Sequence, residues 1–186
     1  MRVIAGKAKG HRLKFANSAS LRPTSDIVKG AIFSALDSLR VDYGRVLDLY
    51  AGTGALGIEA LSRGADYADF VEREPKFCDI IWNNLTHTKF TEQAHIYRST
   101  VKKALSFLRE RYMLVLLDAP YTDKTISSML QILADSPIVG EESTIVVEHA
   151  EQNPLESAYG CFHQIRNINH GDTIVSIYQF EAGGPS

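Results

Sequence analysis

Residues 47–60 read Leu47-Asp48-Leu49-Tyr50-Ala51-Gly52-Thr53-Gly54-Ala55-Leu56-Gly57-Ile58-Glu59-Ala60. An apolar run meets an amphipathic run through glycines spaced G-x-G-x-x-G. Glycines at that spacing permit a tight turn, a close approach of backbone to a ligand, and close helix–strand packing. The segment therefore predicts a buried strand, a glycine crossover and a helix whose first N–H groups face a ligand.

The same rhythm continues downstream. RVLDLYAG (45–52), YADFVER (67–73), AHIYRST (94–100), YMLVLLDAPY (112–121) and STIVVEHA (143–150) read as strands. ALGIEALSRGA (55–65), PKFCDIIWNNLTHT (75–88), VKKALSFLRE (101–110) and TISSMLQILADS (125–136) read as helices, with Gly64 and Pro75 at a helix end and a helix start. CFHQIRNINHGDTIVSIYQF (161–180) reads as two strands turning at Gly171. Such alternation predicts an α/β fold with a mostly parallel seven-stranded sheet, helices on both faces and an antiparallel C-terminal edge hairpin. Trp82 and the apolar face of its helix are assigned to the core.

Ahead of this unit, MRVIAG and HRLKF read as a small β-hairpin extension. DIVKGAIFSALDSL (26–39) is a helix capped by Ser25 or Asp26, with Ile27, Ala31, Leu36 and Leu39, joined by Ile32 and Phe33, approximating its apolar stripe. The chain divides into a basic extension, residues 1–40, and a main domain, residues 41–186. The first carries a net charge of +6 and the second −8. A basic front on an acidic body points to a polyanion docked at one end, with Arg2, Lys7, Lys9, Arg12, Lys14 and Arg22 as candidate phosphate contacts. Cys78 and Cys161 are isolated, packing thiols of a reduced, cytoplasmic setting. The six histidines show no metal spacing. No apolar run is long enough to span a bilayer, and no secretory leader opens the chain.

Two ligands suit the glycine loop, a dinucleotide and S-adenosylmethionine (SAM). Glu72, 20 residues after Gly52 at the end of the second strand, accepts ribose hydroxyls of either. Asp48, four residues before Gly52, discriminates: a carboxylate there suits an ammonium and is poorly placed beside a pyrophosphate. The second chemical signal is Asp118-Ala119-Pro120-Tyr121, after an apolar strand on the same rim. An exocyclic amino nitrogen of a nucleobase is delocalised into its ring and needs an acceptor for each N–H. Ionised Asp118 is acceptor-only, and the Ala119 carbonyl takes the second hydrogen. Pro120 fixes that backbone, and Tyr121 stacks on an extruded base.

These pieces together, with MRVIAGKAKGHRLKF, RPTSDIVKGAIFSAL, VLDLYAGTGALGIEALSRGA, FVERE, LLDAPY, TIVVEH and HGDTIVSIY in order, resemble the bacterial 16S rRNA (guanine(966)-N(2))-methyltransferases. The resemblance covers essentially the whole chain. It implies a Rossmann-like SAM methyltransferase fold, a cofactor site of Asp48, Tyr50, Gly52, Gly54, Glu72, Thr100 and Asp118, and a base site of Asp118, Ala119, Pro120 and Tyr121. It also implies binding of 16S rRNA, or of the 30S subunit or its assembly intermediate, through the N-terminal segment. A monomer with no metal and no membrane partner is the expectation. Three positions depart from that family. Gly30 stands where Glu is usual, Thr100 or Ser99 near a usual Asp, and Ala119 at the first of two prolines. A DNA or other RNA amino-methyltransferase, a dinucleotide oxidoreductase and a weakened RNA-binding paralogue are the alternatives.

Overall fold

A computed structural model describes residues 1–15, 25–120 and 123–182. Among the described residues eight strands form one sheet: β1 (Arg45–Leu49), β2 (Tyr67–Glu72), β3 (Ala94–Arg98), β4 (Leu114–Asp118), β5 (Thr144–Ala150), β6 (Ala158–Tyr159), β7 (Phe162–His170) and β8 (Thr173–Phe180). Their spatial order is β3-β2-β1-β4-β5-β8-β7-β6. β1 to β5 run parallel, and β8 lies antiparallel between β5 and β7. The sheet has one strand beyond the expected seven, the two-residue β6, which extends the C-terminal hairpin by pairing with β7. Strand order reverses between β1 and β4, the place where open α/β sheets form their ligand crevice.

Helices α1 (Asp26–Ser38), α2 (Ala55–Arg63), α3 (Pro75–Thr88), α4 (Val101–Phe107) and α5 (Ile126–Ala134) cover the sheet. Strand side chains alternate between two apolar layers. Val46, Phe70, Leu116, Val146 and Ile177 pack with α1, α2 and α3; Leu47, Val71, Val115, Val147 and Tyr178 pack with α4 and α5. Among the described residues no helix is long and apolar enough to cross a membrane.

Two sequence assignments on the first layer are corrected. Ser25 does cap α1, accepting from the Val28 N–H, but Ile27 is 66% exposed and the buried stripe is Val28, Ile32, Ala35 and Leu36 with Phe33. Residues 28, 32, 35 and 36 follow the i, i+4, i+7, i+8 spacing better than 27, 31, 36 and 39 do. Trp82 is 57% exposed, because Phe77, Ile81 and Leu85 already fill the inward face of α3.

Residues 1–15 double back as foreseen, but the hairpin is held by a single antiparallel bridge, Arg2 with Arg12. Val3, Ala8 and Leu13 are buried in the same layer as α1 and α2, so apolar contact with the helices replaces a longer ladder. α2 supplies the seat. Glu59 accepts from the Ile4 and Ala5 N–H groups at 2.8 and 3.0 Å, and the Ser62 hydroxyl accepts from Ala8 at 2.9 Å. Gly6 lies so close that a Cβ there would meet the Ser62 carbonyl oxygen at 1.8 Å.

Lys29, inside α1, is fully buried against Glu59 at 3.3 Å and donates to the Arg2 carbonyl at 2.6 Å. Burial pulls the Lys29 ammonium below its usual pKa, against the opposing pull of Glu59. Removing one partner of a buried ion pair strands the other charge. Glu59→Ala is therefore expected to destabilise the protein by about 3–5 kcal/mol, read as a lowered urea midpoint at unchanged slope.

Candidate active site at the carboxyl edge of the sheet

The glycine crossover is built by two carboxylates from adjacent strands. Asp48, near the end of β1, is 1% exposed and accepts from the Gly57 N–H in α2 at 2.9 Å. Glu72, the last residue of β2, accepts from the Gly52 N–H through Oε2 and from the Glu74 N–H through Oε1, both at 2.9 Å. Gly54 caps α2 in the left-handed conformation. The third glycine answers to packing: a Cβ on Gly57 would lie 2.4 Å from Phe70 Cε1 and 3.0 Å from Asp48 Oδ2.

The second loop comes to the same rim. In the parallel register Asp48 pairs with Leu116 and Phe70, and Asp118 pairs with Glu148. Alternation then places Glu72, Asp48, Asp118 and Glu148 on one face of four adjacent strands. Asp48 is near enough to its neighbours for their charges to be felt. Burial first, then Asp118 and Glu72, hold its pKa well above the usual carboxylate range, opposed by the Gly57 hydrogen bond. Tyr50 leaves β1 with φ of 59° and interacts with Asp123, beyond the Asp118 loop; burial and then Asp123 push its phenol up to about 12. Asp123 in turn donates from its N–H to the Pro120 carbonyl at 2.7 Å and accepts from Thr125. Ala119 is buried and Pro120 exposed.

The remaining candidates sit as follows. Thr100 is the exposed N-cap of α4, its hydroxyl accepting from Lys103 N–H at 3.3 Å, and Ser99 N–H donates to the Glu72 carbonyl. A Cβ on Gly30 would meet only Ile4 Cδ1, at 3.7 Å, an ordinary van der Waals contact, so alanine fits there without a clash. Arg2, Lys7, Lys9, Arg12 and Lys14 are all exposed. Arg22 and Tyr121 lie outside the described residues. His149, 5% exposed, contacts the Ala150 and Asn153 carbonyls and the Ser176 hydroxyl, and it lines a small recess beside Ala119, Pro120 and Glu148.

Sequence reasoning missed Asn84. It is fully buried in α3, accepts from Lys14 N–H at 2.7 Å, and donates to the carbonyls of Lys14 and Thr53, both at 3.0 Å. One amide thus ties the basic segment to the glycine loop. The only sequence signal was a polar residue on the same helix face as Phe77, Ile81 and Leu85.

The fold and this rim define the class, a Rossmann-like methyltransferase. The family profile described as Conserved hypothetical protein 95 matches residues 1–179, and the chain belongs to that family. Ribosomal RNA small subunit methyltransferase D of Escherichia coli is 32% identical over 189 residues, covering 100% of this chain and 93% of its own. YlbH of Bacillus subtilis is 37% identical over 182 residues, covering 96% and 98%. The solved structure of yhhF from Escherichia coli superposes with a TM-score of 0.83 at 30% identity, covering 98% of this chain and 99% of that one. An RNA methyltransferase from Salinibacter ruber, solved with S-adenosyl-L-homocysteine, shares the fold at 15% identity and a TM-score of 0.65, over 89% and 98% of the two chains.

Asp48 gives the site a pH signature. A carboxyl whose folded pKa is raised binds its proton more tightly in the folded state, so its contribution to stability is present at low pH and lost as pH rises through the folded pKa. Relative to Asp48→Asn, the wild type is expected to lose stability as pH is raised from about 4 upward, measured as paired urea midpoints across the series.

Proposed function

We propose that the protein transfers a methyl group from SAM to the exocyclic N2 of a guanine in 16S ribosomal RNA. The observation that carries this reading is the row Glu72, Asp48 and Asp118 on one sheet face, set above a glycine crossover. The Escherichia coli relative's name gives the substrate class, and the resemblance in RPTSDIVKGAIFSAL and LLDAPY supports guanine N2.

The residues fit the cofactor's charge. Asp48 is buried beside two further acids, and its ionised form is disfavoured until a cation arrives. An ammonium is such a cation, and a pyrophosphate is its opposite. When bound, SAM supplies a methyl group on a cationic sulfonium. Asp48 holds the ammonium end, Glu72 the ribose hydroxyls, and Gly52, Gly54, Tyr50 and Thr100 the remainder. The Thr100 hydroxyl offers a neutral acceptor where the related family has a carboxylate, and a neutral acceptor makes the weaker hydrogen bond.

Asp118 and the Ala119 carbonyl accept hydrogen bonds from the two N–H groups of the amine and draw the nitrogen lone pair out of the ring; once methylated, the cationic nitrogen sheds one proton to solvent. Alanine at 119 keeps the carbonyl on which this depends. Pro120 restricts the backbone and Tyr121 stacks on the base. Positioning and preorganised acceptors supply the rate, with no strong base required. Residues 1–40 form the RNA-binding part and residues 41–186 the methyl-transfer part. Arg2, Lys7, Lys9, Arg12, Lys14 and Arg22 contact phosphates, which position an RNA without reading it.

The test is methyl transfer from labelled SAM to 16S rRNA and to 30S particles, with the modified nucleoside mapped by mass spectrometry. Asp118→Ala is expected to lower kcat by about 100- to 1,000-fold, a larger loss than any change in SAM affinity read by calorimetry. A wild-type enzyme that methylates no RNA overturns the reading. Lys7→Gln with Lys9→Gln is expected to reduce the slope of log affinity against log salt by about 0.7 per lost contact to single-stranded RNA. Filter binding across a salt series reads that slope.

A further inference from the structure

We infer that Glu148 reads the target base, accepting the N1–H of guanine and so selecting guanine over bases that carry an acceptor there. The inference rests on the methyl-transfer reading and extends it to the identity of the base.

Glu148 is the register partner of Asp118 on the neighbouring parallel strand. In-register neighbours project from the same face, about 4.8 Å apart. Val146, two residues earlier, packs in the α1–α3 layer with Leu116, which fixes that face as the one bearing Asp118. Glu148 is only 6% exposed, and with Ala119 and Pro120 it lines a small recess to which Asp123, Ile126, His149, Ala150 and Asn153 also contribute. It therefore continues the row of carboxylates by one strand, on the side of Asp118 away from Asp48 and Glu72. Its own partner on β8 is Val175, which is apolar, so the row ends there.

The order of acceptors matches the order of donors on one base. β2 and β1 carry the cofactor carboxylates, so the base enters from the β5 side. With N2 of guanine at Asp118 and the Ala119 carbonyl, the next group along its Watson–Crick edge is N1–H, a donor. Beside the amine of adenine or cytosine the ring instead presents a lone pair, N1 or N3. An ionised carboxylate is acceptor-only, and facing it with a lone pair leaves both groups unmatched in a buried place. Sites that hydrogen-bond a substrate N–H reject analogues lacking it far more strongly than apolar pockets reject a missing methylene. A base turned out of its helix is read on this edge.

The test uses two RNAs, one with guanine and one with 2-aminopurine at the mapped nucleotide. 2-Aminopurine keeps the exocyclic amine, replaces N1–H with a lone pair and lacks O6, so the effect of N1–H is read from the change that Glu148→Gln makes in the ratio. The readout is the ratio of kcat/KM for the two RNAs within one enzyme preparation, so loss of folded protein cancels. Wild type is expected to prefer guanine by about 100-fold or more, and Glu148→Gln, whose amide both donates and accepts, to lower that ratio about tenfold or more. SAM affinity by calorimetry stays, since Glu148 lies beyond the cofactor strands. A ratio unchanged in Glu148→Gln, with wild type active on guanine, overturns this inference alone. Methylation of the 2-aminopurine RNA by the wild type as efficiently as of the guanine RNA also overturns it. A wild type active on neither RNA overturns the methyl-transfer reading and this inference with it.

Discussion

How closely α2 can lie against β1 and β2 governs the rest of the structure. At Gly57 the helix touches Phe70 of β2 and the Asp48 carboxylate of β1, leaving no room for a Cβ. That approach lets Asp48 receive the Gly57 N–H and lets Glu72 receive the Gly52 N–H across the crossover. Once seated, α2 presents Glu59 and Ser62 outward, and the N-terminal segment folds onto them. The helix thus sets both the floor of the crevice and the position of the basic surface beside it. Asn84 joins the two a second time through the Thr53 and Lys14 carbonyls.

Charge is buried on this face of the sheet in two different ways. Under α1 it is neutralised, Lys29 against Glu59 with Arg63 alongside at 3.0 Å. Such an arrangement holds segments together and offers nothing to a ligand. At the carboxyl edge, Asp48 stands among acids, and its proton affinity rises because ionisation there is opposed by burial and by like charge. Strongly perturbed groups in a crevice mark sites where a ligand is expected to supply what the fold withholds. Under the proposed function, the ammonium of SAM is that ligand. The contrast between the paired acid on α2 and the unbalanced acid on β1 separates the structural carboxylate from the site carboxylate.

Much of this was readable in one dimension. Period-two and period-3.6 patterns gave every long strand and helix of the main domain, including α3 from Pro75 to Thr88 to the residue. The crossover and the Asp118 loop were legible because their chemistry lies in contiguous residues, and both follow parallel strands, which places them at one edge. Reading failed where solvent exposure depends on what another element has already filled. Trp82 is turned out because Phe77, Ile81 and Leu85 suffice, and Ile27 is turned out because the stripe of α1 is offset by one residue. The N-terminal hairpin shrank to one bridge because its apolar residues found helices to pack on.

The sequence by itself determined the order of elements, the glycine crossover and the identities of the acids at strand ends, since those follow from local pattern and residue chemistry. Only the tertiary structure decided that Glu72, Asp48, Asp118 and Glu148 stand side by side, that Lys29 is sealed against Glu59, and that Asn84 fastens the basic segment to the loop. The reason is distance along the chain. Strand register and the seating of helices are settled by burial shared among residues 20 to 70 positions apart, and no window of sequence contains both partners of such a contact.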